Sequence, residues 1–157
     1  MAEPTVIHHT FVLERRFPKP PQRVFEAFSE PDLKRRWFAE GLGHDLVAYE
    51  LDFRAGGAER VRYRLGAHTP FPGAMIASDG RILEITPEQR IVWASVMSLE
   101  GRTFSAELVT IQLKAAGRGT DLVCTFQGAF FEGADGPQMR EGGWHALFDQ
   151  LAKVVAA

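Results

Sequence analysis

The sequence predicts an α+β domain in which a curved antiparallel sheet lies against one long C-terminal helix. Across residues 138–157, Trp144, Leu147, Phe148, Leu151, Val154 and Val155 recur at helical spacing and form one wide apolar stripe, with Asp149 and Lys153 opposite. Between residues 45 and 127 nearly every segment reads as strand. Those strands are joined by short turns, so neighbours run antiparallel. A long helix with so wide an apolar face needs a sheet curved enough to receive it.

The elements follow in order. Residues 11–17 alternate, with Phe11, Leu13, Arg15 and Phe17 on one face. Pro18, Pro20 and Pro21 end that strand, because proline cannot donate to a ladder. Pro21 can open a helix, where its missing N–H costs nothing. Val24, Phe25 and Phe28 are that helix's apolar side. Ser29 and Asp32 form a capping-box pattern before a second short helix carrying Leu33, Trp37 and Phe38. Residues 45–53 set Val47, Tyr49, Leu51 and Phe53 against Leu46, Ala48, Glu50 and Asp52. Gly56-Gly57 supplies a tight hairpin. The return strand sets Val61, Tyr63 and Leu65 against a solvated ladder of Arg60, Arg62 and Arg64.

Residues 66–79 read as a loop rich in Gly, Pro and Ala, and residues 81–85 as the next strand. Residues 91–97 are apolar on both faces, as in a central strand or a subunit contact. Val109, Ile111 and Leu113 share a face, as do Leu122, Cys124 and Phe126. Phe130 and Phe131 read as the approach to the final helix, which Asp135 or Gly136-Pro137 begins. Gly142-Gly143 is costly inside a helix. Either the helix starts near Trp144, or the glycines let something approach its first turn.

The chain of 157 residues suffices for one domain with a real core, and 45% hydrophobic residues exclude disorder as the main state. Eighteen basic and twenty acidic residues argue against a dedicated nucleic-acid binder. No apolar run approaches a membrane span of roughly 20 residues, and residues 1–10 lack a signal-peptide apolar core. The expectation is a soluble, cytoplasmic protein. Cys124 is the sole cysteine and reads as a buried, inert thiol. The histidines show no metal-binding spacing, so neither metal nor cofactor is expected.

Several local motifs carry a resemblance. They are Phe17-Pro18-Lys19-Pro20-Pro21-Gln22-Arg23-Val24-Phe25, Trp37-Phe38, Asp52-Phe53-Arg54-Ala55-Gly56-Gly57, Gly80-Arg81-Ile82-Leu83-Glu84-Ile85 running into Pro87-Glu88-Gln89-Arg90-Ile91-Val92, and Gly143-Trp144 before Leu147 and Leu151. Together they resemble the START-like, Bet v 1-like superfamily, and within it the bacterial proteins similar to the C-terminal domain of the Hsp90 ATPase activator. The resemblance covers nearly the whole chain. It implies a helix-grip fold of about six or seven strands, with two short helices after the first strand and an apolar cavity beneath the C-terminal helix. It also implies a hydrophobic small-molecule ligand: a lipid, an aromatic or a polyketide-like compound. Some relatives cyclise polyketides. The eukaryotic activator grips its chaperone through a separate N-terminal domain that this sequence is too short to contain.

Trp37, Tyr63, Met75, Trp93, Phe126, Phe130, Trp144 and Phe148 are the cavity candidates, with His68 and Met75 at the mouth. The same aromatic groups could instead fill the core, and the resemblance is what implies a cavity. Three groups are candidates for acid–base chemistry. Glu84 shares a face with Ile82, and Glu107 shares the face of Val109 and Ile111. His68 lies on the long loop. The plainer reading places each carboxylate at a strand end or on an arginine such as Arg15 or Arg81. The first functional expectation is a hydrophobic-ligand-binding protein. The alternatives are a cyclase- or hydrolase-like enzyme acting on such a ligand, and a chaperone partner or homodimer using residues 91–97.

Overall fold

The computed structural model describes residues 5–157. Its elements are β1 (Ile7–Phe17), α1 (Pro21–Ser29), α2 (Pro31–Lys34) continuing into a π-helical turn (Arg35–Ala39), β2 (Asp45–Leu51), β3 (Ala58–Arg64), β4 (Met75–Thr86), β5 (Arg90–Leu99), β6 (Arg102–Ala116), β7 (Gly119–Phe130) and α3 (Pro137–Ala156). The seven strands form one curved antiparallel sheet in the order β1-β7-β6-β5-β4-β3-β2. This is the α+β helix-grip fold. β5 lies at its centre; Ile91 and Trp93 face the core, while Val96 on the outer face is 41% exposed.

Phe11 and Leu13 of β1, Ile91 and Trp93 of β5, Val109 and Ile111 of β6, and Leu122, Cys124 and Phe126 of β7 pack with Trp144, Leu147, Phe148, Leu151 and Val155 of α3. Each Leu or Phe buried there contributes roughly 1.5–3 kcal/mol relative to exposure. α1 and the π-helical turn close one end. Phe28 and Trp37 meet edge-on with ring centres 5.0 Å apart, and Trp37 Nε1 donates to the Ala27 carbonyl at 2.8 Å. Arg23 of α1 caps the far end of α3, donating to the carbonyls of Val154 at 2.8 Å and Ala157 at 3.2 Å. Those carbonyls have no partner within the helix, and the guanidinium suits the helix's negative end.

Several sequence expectations change here. α1 runs through Ser29 and Pro31 opens α2, with no side-chain cap, so the capping box does not form. β4 begins at Met75, so the loop is shorter than the Gly-, Pro- and Ala-rich composition implies. Phe130 closes β7 and is fully buried. α3 starts at Pro137, so Gly142 and Gly143 lie well inside it. Three β-bulges shift the face that residues present. The register slips at Val47 in β2, at Leu83 in β4 and at Phe104 in β6. Each extra residue moves the following side chains to the opposite face from simple alternation. Val47 is therefore exposed, while Leu46 and Tyr49 stand opposite Tyr63 and Val61.

Candidate functional site

At the β3–β5 end of the sheet α3 does not fill the space beneath it. A pocket of about 510 Å³ remains there. Val61 and Tyr63 of β3, Ile76 and Ser78 of β4, and Met97 and Leu99 of β5 form its floor. Gly143, Trp144 and Leu147 of α3 form the roof, with Phe38, Leu42 and His44 at the side. Thr69, Pro70 and Phe71 approach from the β3–β4 loop. Phe71 and Met139 border the pocket and are 59% and 67% exposed, so the opening lies between them. The walls are mainly apolar with a few convergent polar groups, the usual composition of a small-molecule site.

Arg140 organises the polar end. It is on the buried side of α3, four residues before Trp144, with a side chain 8% exposed. Its Nη1 donates to Glu107 Oε1 at 3.0 Å, Nη2 to Ser105 Oγ at 2.9 Å and Asp135 Oδ1 at 2.7 Å, and Nε to Asp135 Oδ2 at 2.9 Å. The guanidinium also lies 5.1 Å from the ring centre of Phe130. Gly128 stands opposite Glu107 on β7, where a Cβ would come within 2.6 Å of the Phe126 ring and 2.9 Å of the Phe130 ring. Only glycine leaves room there for both rings beneath the ion cluster.

Burial pushes the Glu107 carboxyl up to about 7, and the nearby Asp135 adds to this. The charge of Arg140 and hydrogen bonding from Ser95 and Arg140 pull against it. Burial raises the Tyr63 hydroxyl to about 12. His44 is held below the ordinary histidine value by burial, with a smaller contribution from His68. Its ring stacks on Tyr63 at 4.8 Å and on His68 at 5.3 Å, and its Nδ1 accepts the Gly66 N–H at 3.4 Å.

A second buried ion pair lies behind the pocket. Lys34 Nζ donates to Glu59 Oε1 at 2.9 Å, and Tyr49 donates its hydroxyl hydrogen to Oε2 at 2.5 Å. The ammonium also sits 4.3 Å from the Trp93 ring centre and 4.5 Å from that of Phe38. None of Lys34, Glu59 and Tyr49 lines the pocket.

Of the eight cavity residues expected from sequence, Tyr63 and Trp144 line the pocket. Trp37, Trp93, Phe126, Phe130 and Phe148 are core, none more than 3% exposed, because they sit where α3 and α1 press directly on the sheet. Met75 opens β4, where its N–H donates to Glu100 at 2.8 Å, and it does not reach the pocket. Glu84 follows the plainer of its two sequence readings, a carboxylate paired with an arginine, though the partner is Arg90 rather than Arg15 or Arg81. The bulge at Leu83 sets it opposite Val92, away from inward-facing Ile91 and Trp93, and it pairs with Arg90 at 2.8 Å on the outer surface. His68 is exposed and reaches the pocket only through its stack on His44. Glu107 does face inward, and its partner is Arg140 rather than Arg15 or Arg81. Cys124 is fully buried, which pushes its thiol up to about 12 and keeps it unreactive.

A wider depression of about 1020 Å³ lies at the opposite end of the sheet, bordered by charged side chains including Glu14, Arg16, Lys114 and Asp121. Arg16 and Asp121 already pair with each other at 2.6 Å, so it offers surface ion pairs rather than a desolvated site. Among the described residues, no three His, Cys, Asp or Glu side chains are placed to hold a metal ion. No helix of the described residues is long and apolar enough to cross a membrane.

The fold and the pocket together define a helix-grip domain with a cavity under its last helix. The family model for activator of Hsp90 ATPase homolog 1-like proteins matches residues 18–156, and the chain belongs to that family. No curated protein matches. Similar solved structures come from several bacteria. A Rhizobium leguminosarum protein is 34% identical, with 96% of each chain covered and a TM-score of 0.88. The Mll3558 protein of Rhizobium loti is 40% identical over 95% of this chain and 98% of its own, with a TM-score of 0.84. CV1439 of Chromobacterium violaceum is 30% identical over 94% and 98%, with a TM-score of 0.75.

Proposed function

We infer that the protein is a cytoplasmic binder of a small hydrophobic molecule, held between the β3–β5 part of the sheet and the first turns of α3. The observation that carries this reading is the pocket itself: about 510 Å³ of apolar-walled space with Tyr63, Glu107 and Arg140 grouped at one end. Affinity would come mainly from burying apolar ligand surface, at about 25 cal/mol per Å² before the costs of ordering. The polar end would orient the ligand. Native mass spectrometry of protein purified from its own host is the test. A retained molecule of defined mass supports the reading. A bare chain that also fails to bind a neutral hydrophobic dye contradicts it.

A second reading, an enzyme acting on such a ligand, is favoured by one feature. Glu107 lines the pocket with a carboxyl held up to about 7, near the value that serves a general acid or base at neutral pH. Its test is turnover of the retained molecule by the wild type. Turnover lost in Glu107→Gln with binding kept would support catalysis. Return of the molecule unchanged by the wild type would leave binding alone. A chaperone-linked role has the family description as its support.

A further inference from the structure

We propose that the pocket selects by charge: it takes an uncharged or cationic amphiphile and rejects the free acid of the same hydrocarbon. This rests on the ligand-binding reading above and narrows it to a chemical class.

Among the described residues, Arg140 is the only lysine or arginine lining the pocket, and it is already engaged. An arginine has five N–H donors. Four are directed at Asp135, Glu107 and Ser105. Two carboxylates thus share one guanidinium, and the cluster carries a net negative charge whenever both are ionised. The other buried cation, Lys34, is held on Glu59 behind Trp93 and lies outside the lining. His44 is held toward its neutral form, so it adds no positive charge. Tyr63 of β3 and Cys124 of β7 are near enough to feel the charge of Glu107, and neither brings a positive charge.

An incoming carboxylate or phosphate would therefore lose its hydration, meet a negative excess and find a single N–H left on the arginine. In a low-dielectric pocket that repulsion is little screened. A hydroxyl or ammonium group, by contrast, can donate to Glu107. The lone N–H left on Arg140 suits an uncharged oxygen. The excess negative charge set beside apolar walls thus works as a filter on the ligand's polar end.

The test uses the full chain and three probes of one hydrocarbon: dodecan-1-ol, dodecylammonium and dodecanoate. Each displaces a neutral solvatochromic dye at about pH 8, where the acid is ionised and the amine still protonated. The alcohol and the ammonium should displace the dye, and dodecanoate should be at least about tenfold weaker. Glu107→Gln removes one negative charge, so dodecanoate should tighten and dodecylammonium weaken, each by about tenfold. Asp135→Asn, at a side chain 28% exposed, should move both in the same directions if the first variant does not fold. Dodecanoate binding to the wild type as tightly as the alcohol would overturn the charge filter and leave the pocket reading standing. Failure of the dye and all three probes would overturn both.

Discussion

Two ion clusters are buried against the same aromatic core, and they are built differently. Lys34, Glu59 and Tyr49 form a balanced set of one cation, one anion and a hydroxyl, enclosed by Trp93 and Phe38. Arg140, Glu107 and Asp135 form an unbalanced set of one cation and two anions, and this one borders open space. The first fixes the meeting of α2 with β2 and β3, and each of its side-chain N and O atoms has a partner. The second holds a surplus of charge facing a pocket, and burial, with Asp135 adding to it, raises Glu107. The balanced pair is enclosed and serves the fold; the excess charge lies on a cavity wall, where the proposed ligand would meet it.

The largest effect should come from breaking the balanced cluster. Lys34→Ala leaves Glu59 buried without its partner and should cost about 3–5 kcal/mol in urea unfolding. A loss below about 1 kcal/mol would mean that water reaches Glu59.

The unbalanced cluster should show itself through pH. The folded value of Glu107 is raised to about 7 from the ordinary 4.5. Between those two values the folded state keeps a proton that the unfolded chain has released. Its contribution to stability is fully present below about 4.5 and is lost as pH rises toward 7, by up to about 3 kcal/mol. Glu107→Gln should therefore flatten the fall in unfolding midpoint over that window relative to the wild type. Identical slopes would show that the carboxyl titrates normally.

A smaller pair of changes separates helix from pocket. A Cβ at Gly142 or Gly143 would meet nothing within 4 Å, and only Gly143 lines the pocket. Either glycine replaced by alanine should stabilise α3 by about 1 kcal/mol. Gly143→Ala should also weaken dye binding, while Gly142→Ala should not. The smallest effect belongs outside both clusters. Glu84→Gln breaks an exposed pair with Arg90 and should change stability by less than about 1 kcal/mol. It should leave ligand binding unchanged.

The architecture was legible because periodicity reports it directly: the α3 stripe and the alternating strands follow from which faces are buried. The site was less legible, for two physical reasons. Bulges at Val47, Leu83 and Phe104 carry no residue signature here, so alternation leaves the direction of Glu84 open and puts Val47 on the face of Tyr49. Charged residues on apolar faces were also passed over, although their spacing marked them. Arg140 lies on the stripe of Trp144, Leu147 and Leu151, and Glu59 on the face of Val61 and Tyr63. Lys34 precedes Trp37 and Phe38 by three and four residues, on their side of the helix. Which aromatic rings fill the core and which border space depends on how far α3 settles into the sheet, and no local pattern encodes that distance.

The most direct test of an open, ligand-accepting pocket is titration of a neutral hydrophobic dye into the wild type and into Gly143→Leu, which places a side chain in the pocket from α3. The account expects one dye per wild-type chain and at least about tenfold weaker binding to a folded Gly143→Leu. Equal binding by both would place the dye on the surface, and no binding by either would mean the pocket does not admit a ligand. Both results would contradict the account.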